Sequence, residues 1–355
     1  MTFQNVGTTN AGIVNFKGGA PAMTGAVPTM DAAGIASGGA FLVSELEKRD
    51  PMIRKPLTSF TYPRDIVIQT GGGWVDYVSA MSVGYGTTGG SGSSLVQAGG
   101  SNGLPIVQAN VEKGVYKAHT VAMALRIMFQ DMQRANFIGR SIDQLLQDGL
   151  RLTYDKHMDQ NVYVGFPEYN TTGLVNNPNA TASTVADGAS GNGNWESKTP
   201  NEILNDVNTA LTETWAQAGY DLDAIPNHIL IPYEEYTYIM NTPFTLVADG
   251  AQVAFSSIYE YIKQHNITNA NGGDLYIGAT MWCKGAGTSG TDRMVVYVNH
   301  ERYVKMDELV PLSRNMTAPN PANFCYDTAY SANVSEVEVF YPQTITYWDH
   351  IGGDT

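Results

Sequence analysis

Residues 84–103 form a Gly/Ser-rich tract between two β-forming segments, and that arrangement restricts the fold more than any other part of the chain. The tract is too polar and too flexible to nucleate a core. On its N-terminal side, from Phe60 onward, Arg64-Asp65-Ile66-Val67-Ile68 and Trp74-Val75-Asp76-Tyr77-Val78 read as strands. On its C-terminal side, residues 111–125, rich in Val and small residues, supply a return limb. The pattern predicts a long hairpin with a mobile tip. Such a ribbon buries too little apolar surface to offset ~1–2 kcal/mol of backbone entropy per ordered residue, and two strands alone are marginal in water. It has to lie on something else.

The rest of the chain separates into an arm and two mixed blocks. Residues 1–38 are rich in Gly, Ala, Thr and Pro without a helical or strand period, which predicts an extended arm. Residues 41–49 have an apolar face with Glu45 and Arg49 at helical pair spacing, and Pro51 stops them: a short amphipathic helix. A long helix is expected from Ser141, where Ser141 and Gln144 make a capping box. Apolar residues then recur at spacings of three and four until about Tyr163, before Gly165 and Pro167. Residues 176–197, low in complexity, read as an exposed loop or linker.

A second block opens at Thr199-Pro200-Asn201-Glu202, which offers a capping Thr, a Pro in the first helical position and Glu three residues after the cap. Gly219 closes that helix. His228-Ile229-Leu230-Ile231 predicts a buried strand running into a helix at 233–240. A further helix at 258–265 and strands at 275–277 and 294–298 complete an α+β block. Strands at 336–340 and 344–348 are expected to return beside the long helix. There is no internal repeat at solenoid or propeller periods.

At 355 residues the chain has the length of two or three compact units. No window approaches the ~18–20 apolar residues of a membrane span, and Met1-Thr2-Phe3-Gln4-Asn5 lacks the order of a secretory signal, so synthesis and retention in the cytosol are expected. Charged residues make up only 15% of the chain, against about 25% in ordinary soluble domains, and 20 Tyr are present. So few charges leave surface for neighbours to cover, and Tyr is a favoured contact residue. A net charge of −14 without any basic run argues against a nucleic-acid site; it is also the common condition of a soluble bacterial protein, so the charge excludes more than it selects.

Catalytic patterns fail their structural checks. Gly84-Tyr85-Gly86-Thr87-Thr88-Gly89 fits a dinucleotide fingerprint, yet Gly90-Ser91-Gly92-Ser93-Ser94 cannot supply the helix whose N-terminus would hold a pyrophosphate. Gly99-Gly100-Ser101-Asn102-Gly103 fits a nucleophile elbow but is followed by Leu104-Pro105-Ile106. The six His are scattered, and His157 reads as a surface or interface residue. Asp155 and Asp159 share a helix face and read as solvated polar residues, although a general acid and base could be built from them. Tyr233, Tyr236 and Tyr238 fall on different helix faces, as packing residues do. Cys283 and Cys325 read as reduced packing residues. No catalytic, cofactor-binding or metal-ligating residue is expected, and the chain is not expected to be an enzyme.

The order of parts, namely arm, short helix, long hairpin with a Gly-rich tip, long helix, α+β block and returning strands, resembles the tailed-phage major capsid proteins of the Hong Kong 97-type fold. The helix exit Tyr154-Asp155-Lys156-His157-Met158-Asp159-Gln160-Asn161-Val162-Tyr163-Val164-Gly165, followed by Thr172-Gly173-Leu174-Val175-Asn176, is similar to that family. So is the step Pro226-Asn227-His228-Ile229-Leu230-Ile231-Pro232-Tyr233.

The resemblance implies an α+β subunit with an N-terminal arm and short helix (1–58), an E-loop hairpin (59–126) and a P domain with a spine helix (127–198). An A domain (199–304) and returning P-domain strands (305–355) complete it. It implies a virion shell of hexamers and pentamers around double-stranded DNA, assembled in the host cytoplasm. A separate scaffolding protein and a portal are the expected partners, and a decoration protein is a further candidate. The arm is too short for a cleaved scaffolding segment. Lys113 and Lys117 lie on the hairpin, but nothing identifies an Asn partner, so no covalent cross-link is expected. An encapsulin-like compartment shares the fold and is the first alternative; a soluble hydrolase or binding protein is the second.

Overall fold

A computed structural model describes residues 60–88, 106–138, 142–248 and 251–353, together with Pro56. The expected arm with its helix at 41–49, the centre of the Gly/Ser-rich tip including Ser101, and the capping Ser141 lie outside the described residues. Ser59–Thr355 forms one compact unit.

The unit opens with a short helix, Tyr62–Asp65 (α1), and a strand, Val67–Thr70 (β1). A strand was expected from Arg64; instead Pro63 occupies the first helical turn, and the Asp159 carboxylate accepts the N–H groups of Thr61 and Tyr62 at 2.7 and 3.1 Å. The hairpin limbs are Tyr77–Thr88 (β2) and Ile106–Met128 (β3). A helix the sequence reading did not foresee, Phe129–Ile138 (α2), precedes the long helix Ile142–Tyr163 (α3). Gly165, at φ +74, ends the exit from α3, its N–H bonded back to the Asn161 carbonyl at 3.1 Å.

Next come Thr181–Thr184 (β4), Pro200–Gln217 (α4), His228–Ile231 (β5) and Tyr233–Asn241 (α5). The capping box of Thr199 and Glu202 at the start of α4 is present. A two-stranded ribbon of Pro243–Ala248 (β6) and Ala251–Ser257 (β7) leads to Ile258–Gln264 (α6) and Ile267–Ala270 (α7). The remaining strands are Tyr276–Ala279 (β8), Arg293–Tyr297 (β9), Val304–Asn320 (β10), Cys325–Ser335 (β11), Glu338–Val339 (β12) and Ile345–Asp349 (β13).

A five-stranded sheet in the order β4-β13-β9-β5-β8 divides two cores. Leu230, Val295, Tyr297, Ile345 and Tyr347 face the first core, with Met158, Val162 and Tyr163 of α3 and Val304, Met306, Ala332 and Val334 of β10 and β11. Ile229, Ile231, Met294, Val296 and Trp348 face the second, with Ile203, Val207, Ala210 and Leu211 of α4. Burial on both faces is why these strands read as unbroken apolar runs. β13 pairs with β9 and β4 inside this sheet, with Ile345 and Tyr347 facing the core that α3 also lines. The expected loop at 176–197 is corrected. It contributes β4, and Val185 and Trp195 are buried in the second core.

The other sheet has the order β1-β10-β11-β3-β2, with β12 against β10. β3 is its longest member. Its C-terminal half pairs with β11 and its N-terminal half with β2, so the hairpin projects from the sheet as a continuation of one strand.

Candidate assembly surface

In an antiparallel pair, directly opposed residues point to the same face. The register Tyr77↔Lys117, Ser79↔Val115, Met81↔Lys113, Val83↔Val111, Tyr85↔Ala109 and Thr87↔Val107 therefore gathers most of the apolar side chains of both limbs on one face, with Val78, Tyr116 and Ile106 on the other. The other face carries mainly Ala80, Ser82, Gly84, Gly86, Gln108, Asn110, Glu112 and Gly114. The apolar face is uncovered: Met81 is 74% exposed and Tyr85 78%. Its charges are Lys113 and Lys117. A contiguous exposed apolar strip of this kind marks an interaction site.

The root of the hairpin is fastened to the body. The Tyr116 hydroxyl donates to the Val339 carbonyl at 2.8 Å, and its ring meets Phe340 edge-on at 5.7 Å. The Lys117 N–H donates to Glu336 Oε1 at 2.9 Å, the Glu336 N–H donates to the Lys117 carbonyl at 3.0 Å, and Lys117 Nζ donates to the Tyr169 carbonyl at 3.0 Å. Asn333 Nδ2 donates to the Val75 carbonyl at 2.9 Å. The limb thus has a fixed root and a bare outer face. Further exposed apolar residues include Leu145 and Leu146 on the first turns of α3, Tyr220 and Leu222 ahead of β5, and Met316, Phe324 and Tyr326 at the outer end of β10 and β11.

The residues weighed for chemistry are occupied structurally. Asp159, expected on a solvated face, is buried; besides the two α1 amides it accepts the Trp282 indole N–H at 2.6 Å. Asp155 accepts the Tyr62 hydroxyl at 3.4 Å, and burial raises its carboxyl. His157 stacks on Phe166 at 4.4 Å, and burial lowers its basicity. Tyr236 and Tyr238 pack against the second core while Tyr233 is exposed. Gly84 and Gly86 lie inside β2, which continues to Thr88 where a nucleotide fold would turn into a helix. Cys283 and Cys325 are buried free thiols, and burial pushes Cys283 up. Among the described residues there is no group of three His, Cys, Asp or Glu able to hold a metal, and no helix long and apolar enough to cross a membrane.

The model of the major capsid protein family matches residues 92–351, well over half of the chain. The chain belongs to that family. No curated protein matches it. Among solved structures, this family member is similar to the capsid of Myoviridae phage XM1 at 15% identity and a TM-score of 0.64, over 86% of this chain and 97% of that one. It is similar to the capsid of a native GTA particle at 12% identity and a TM-score of 0.59, over 89% and 97%. It is also similar to the SrpI encapsulin from Synechococcus elongatus PCC 7942 at 13% identity and a TM-score of 0.51, over 89% and 96%. The fold of this major capsid protein is thus the expected Hong Kong 97-type. The sequence reading located the limbs of the hairpin but missed its one-sided character; the signal was present, since apolar residues fall at odd positions of both limbs, 77–85 and 107–115.

Proposed function

We propose that the chain is the self-assembling shell subunit of a phage head, building hexamers and pentamers around packaged double-stranded DNA without catalysing any reaction. The observation that carries this reading is the hairpin, an apolar strip with a fastened root that its own subunit leaves bare. In a shell, a neighbouring copy covers it and supplies the burial that the isolated ribbon lacks. The net charge of −14 suits a wall that does not adhere to nucleic acid.

In this reading residues 59–126 are the E-loop, 127–198 with most of 305–355 the P domain, and 199–304 the A domain, to which β13 also belongs. A separate scaffolding protein and a portal complete assembly in the host cytoplasm, with a decoration protein as a further candidate, and the finished shell resides in the virion. Lys117, engaged with Tyr169 in its own subunit, is not a cross-linking residue.

Negative-stain electron microscopy of the purified chain, alone and with any scaffold encoded beside it, tests the proposal. Closed shells or curved sheets are expected; a persistent compact monomer under both conditions would overturn it. The likeness to an encapsulin keeps a cargo compartment as the second reading, separated by whether purified shells hold DNA or a protein cargo.

A further inference from the structure

Glu338 is fully buried on β12, and neither carboxylate oxygen has a hydrogen-bond partner. The cation nearest to it is Lys305, its cross-strand neighbour on β10, whose ammonium lies 3.7 Å from Oε2, too far for a hydrogen bond. That ammonium is already committed, donating to both oxygens of Asp307 at 2.8 and 3.0 Å and to Gln69 Oε1 at 3.0 Å. One cation therefore serves two carboxylates, and Glu338 is the more distant of the two. A charge in that position is strongly unfavourable unless a proton neutralises it. Burial first, and the Asp307 charge second, push the Glu338 carboxyl up to about 7.

The position gives this chemistry a consequence. Residues 336–340 carry the contacts that fasten the hairpin: Glu336 with the backbone of Lys117, the Val339 carbonyl with the Tyr116 hydroxyl, and Phe340 with the Tyr116 ring. β12 pairs with β10 through Val304↔Val339 and Lys305↔Glu338, and the Phe340 N–H donates to the Tyr303 carbonyl at 3.0 Å beside them.

We propose that Glu338 is a proton-operated latch on the hairpin: protonated, it stays buried and β12 holds the root; ionised, it is driven toward water and the root loosens. The groups that face it are Lys305 and Asp307 from β10, the polar Gln69 from β1, the Ser335 hydroxyl from the end of β11, and Tyr116 from β3, whose own hydroxyl is pushed up to about 12. Glu336 and His119 stand nearby, and burial lowers the basicity of His119. The latch is a property of the fold, and only its role in controlling assembly rests on the shell reading.

Hydrogen–deuterium exchange of the full chain at pH 4.5 and pH 8 tests it, with wild type and Glu338→Gln compared at each pH so that the intrinsic pH dependence of exchange cancels. In peptides covering 114–119 and 336–340, wild type is expected to exchange on the order of a hundredfold faster than the variant at pH 8, because opening lets a carboxyl held near 7 ionise at its free value of 4.5. The two should agree within about twofold at pH 4.5, where opening releases almost no proton. No difference at pH 8, or the same difference at both values, overturns the latch. Asp307→Asn is the second variant. It releases Lys305 to pair with Glu338, so the root should stay protected at pH 8; a root that still opens there overturns the proposal. Particle formation is scored on the same samples. A switch in exchange without shells at either pH keeps the latch and removes the shell reading, and shells at both with unchanged exchange does the reverse.

Discussion

The indole N–H of Trp282 donates to Asp159 Oδ2 at 2.6 Å, while Oδ1 of the same carboxylate accepts the backbone N–H of Thr61 at 2.7 Å. One buried side chain on α3 thereby holds α1 on one side and the turn after β8 on the other. Asp159→Asn keeps the shape but presents an NH2 group to one of these donors. The expected outcome is a loss of roughly 1–3 kcal/mol, the cost of an unsatisfied buried donor, read as a lower thermal unfolding midpoint with far-UV circular dichroism unchanged at 20 °C.

A second prediction concerns the ion pair of Lys198 with Asp206, 2.6 Å long and buried on both sides. Asp206 Oδ2 also accepts the Trp195 indole N–H at 3.2 Å, and Lys198 Nζ donates to the Ala186 carbonyl at 2.6 Å, so the pair stitches the segment before α4 onto the second core. Lys198→Met leaves a buried carboxylate without its cation and is expected to destabilise by about 3–5 kcal/mol. The double variant Lys198→Met with Asp206→Leu should recover most of that loss. Denaturant unfolding of the three proteins checks both statements, and a double variant no better than the single would remove the pair from the argument.

At Gly173 a methyl group would fall onto the backbone of Tyr163 at the exit of α3, where the Leu174 N–H is bonded to the Val162 carbonyl at 2.8 Å. Backbone on both sides leaves no flexible side chain to give way. Gly173→Ala is expected to cost about 2–3 kcal/mol, at the upper end of ordinary single substitutions, whereas Gly149→Ala in the middle of α3, where the added carbon meets nothing within 4 Å, should gain about 0.5–1 kcal/mol. Paired unfolding curves of the two variants decide it.

Why some of this was legible in the sequence and some was not follows from which residues satisfy whom. The start of α4 was readable because Thr199 and Glu202 satisfy each other within three residues. β5 and β9 were readable because a sheet buried on both faces leaves no polar gap. β10 and β11 were missed: both interleave polar and apolar residues, and Pro311 lies where the ladder shifts register between Val310 and Ser313. Trp195 was hidden in a stretch of Gly, Asn and Ser whose burial depends on Asp206 and Ile351. Asp159 looked solvated because its three partners are 98, 97 and 123 residues away. Long-range partners leave no local signature.

Glu235 gives a pH prediction in the second core. It is buried beside Asp292, and one oxygen of each carboxyl has no hydrogen-bond partner. Burial first, then the Asp292 charge, push Glu235 from 4.5 up to about 7. The folded chain keeps a proton that the unfolded chain releases, so the stability tied to it is complete below pH 4.5 and falls until the pH passes about 7. Glu235→Gln should therefore match wild type near pH 4.5 and exceed its thermal midpoint at pH 8, by an amount on the order of a few kcal/mol in stability. Equal midpoints at pH 8 would mean that the carboxyl ionises freely in the folded chain.

The apolar hairpin face separates folding from assembly most cleanly. Met81 is 74% exposed, lies opposite Lys113, and touches no core of its own subunit. Met81→Asp sets a carboxylate across from that ammonium on an open strand pair, so the isolated chain is expected to keep its unfolding midpoint within about 0.5 kcal/mol in stability. Covered by a neighbouring copy, the same carboxylate would be stripped of water in an apolar contact, a cost of several kcal/mol repeated at every subunit of a shell. Assembly, scored by sedimentation and negative-stain microscopy, should fail. Gln108→Asp, on the polar face opposite Gly86, carries the same added charge and should assemble as wild type does. If Met81→Asp assembles normally, the apolar face is not the surface a neighbour covers, and the exposed ends of α3 and of the β10–β11 pair become the places to look; if both variants fail, net charge rather than the one-sided pattern governs assembly.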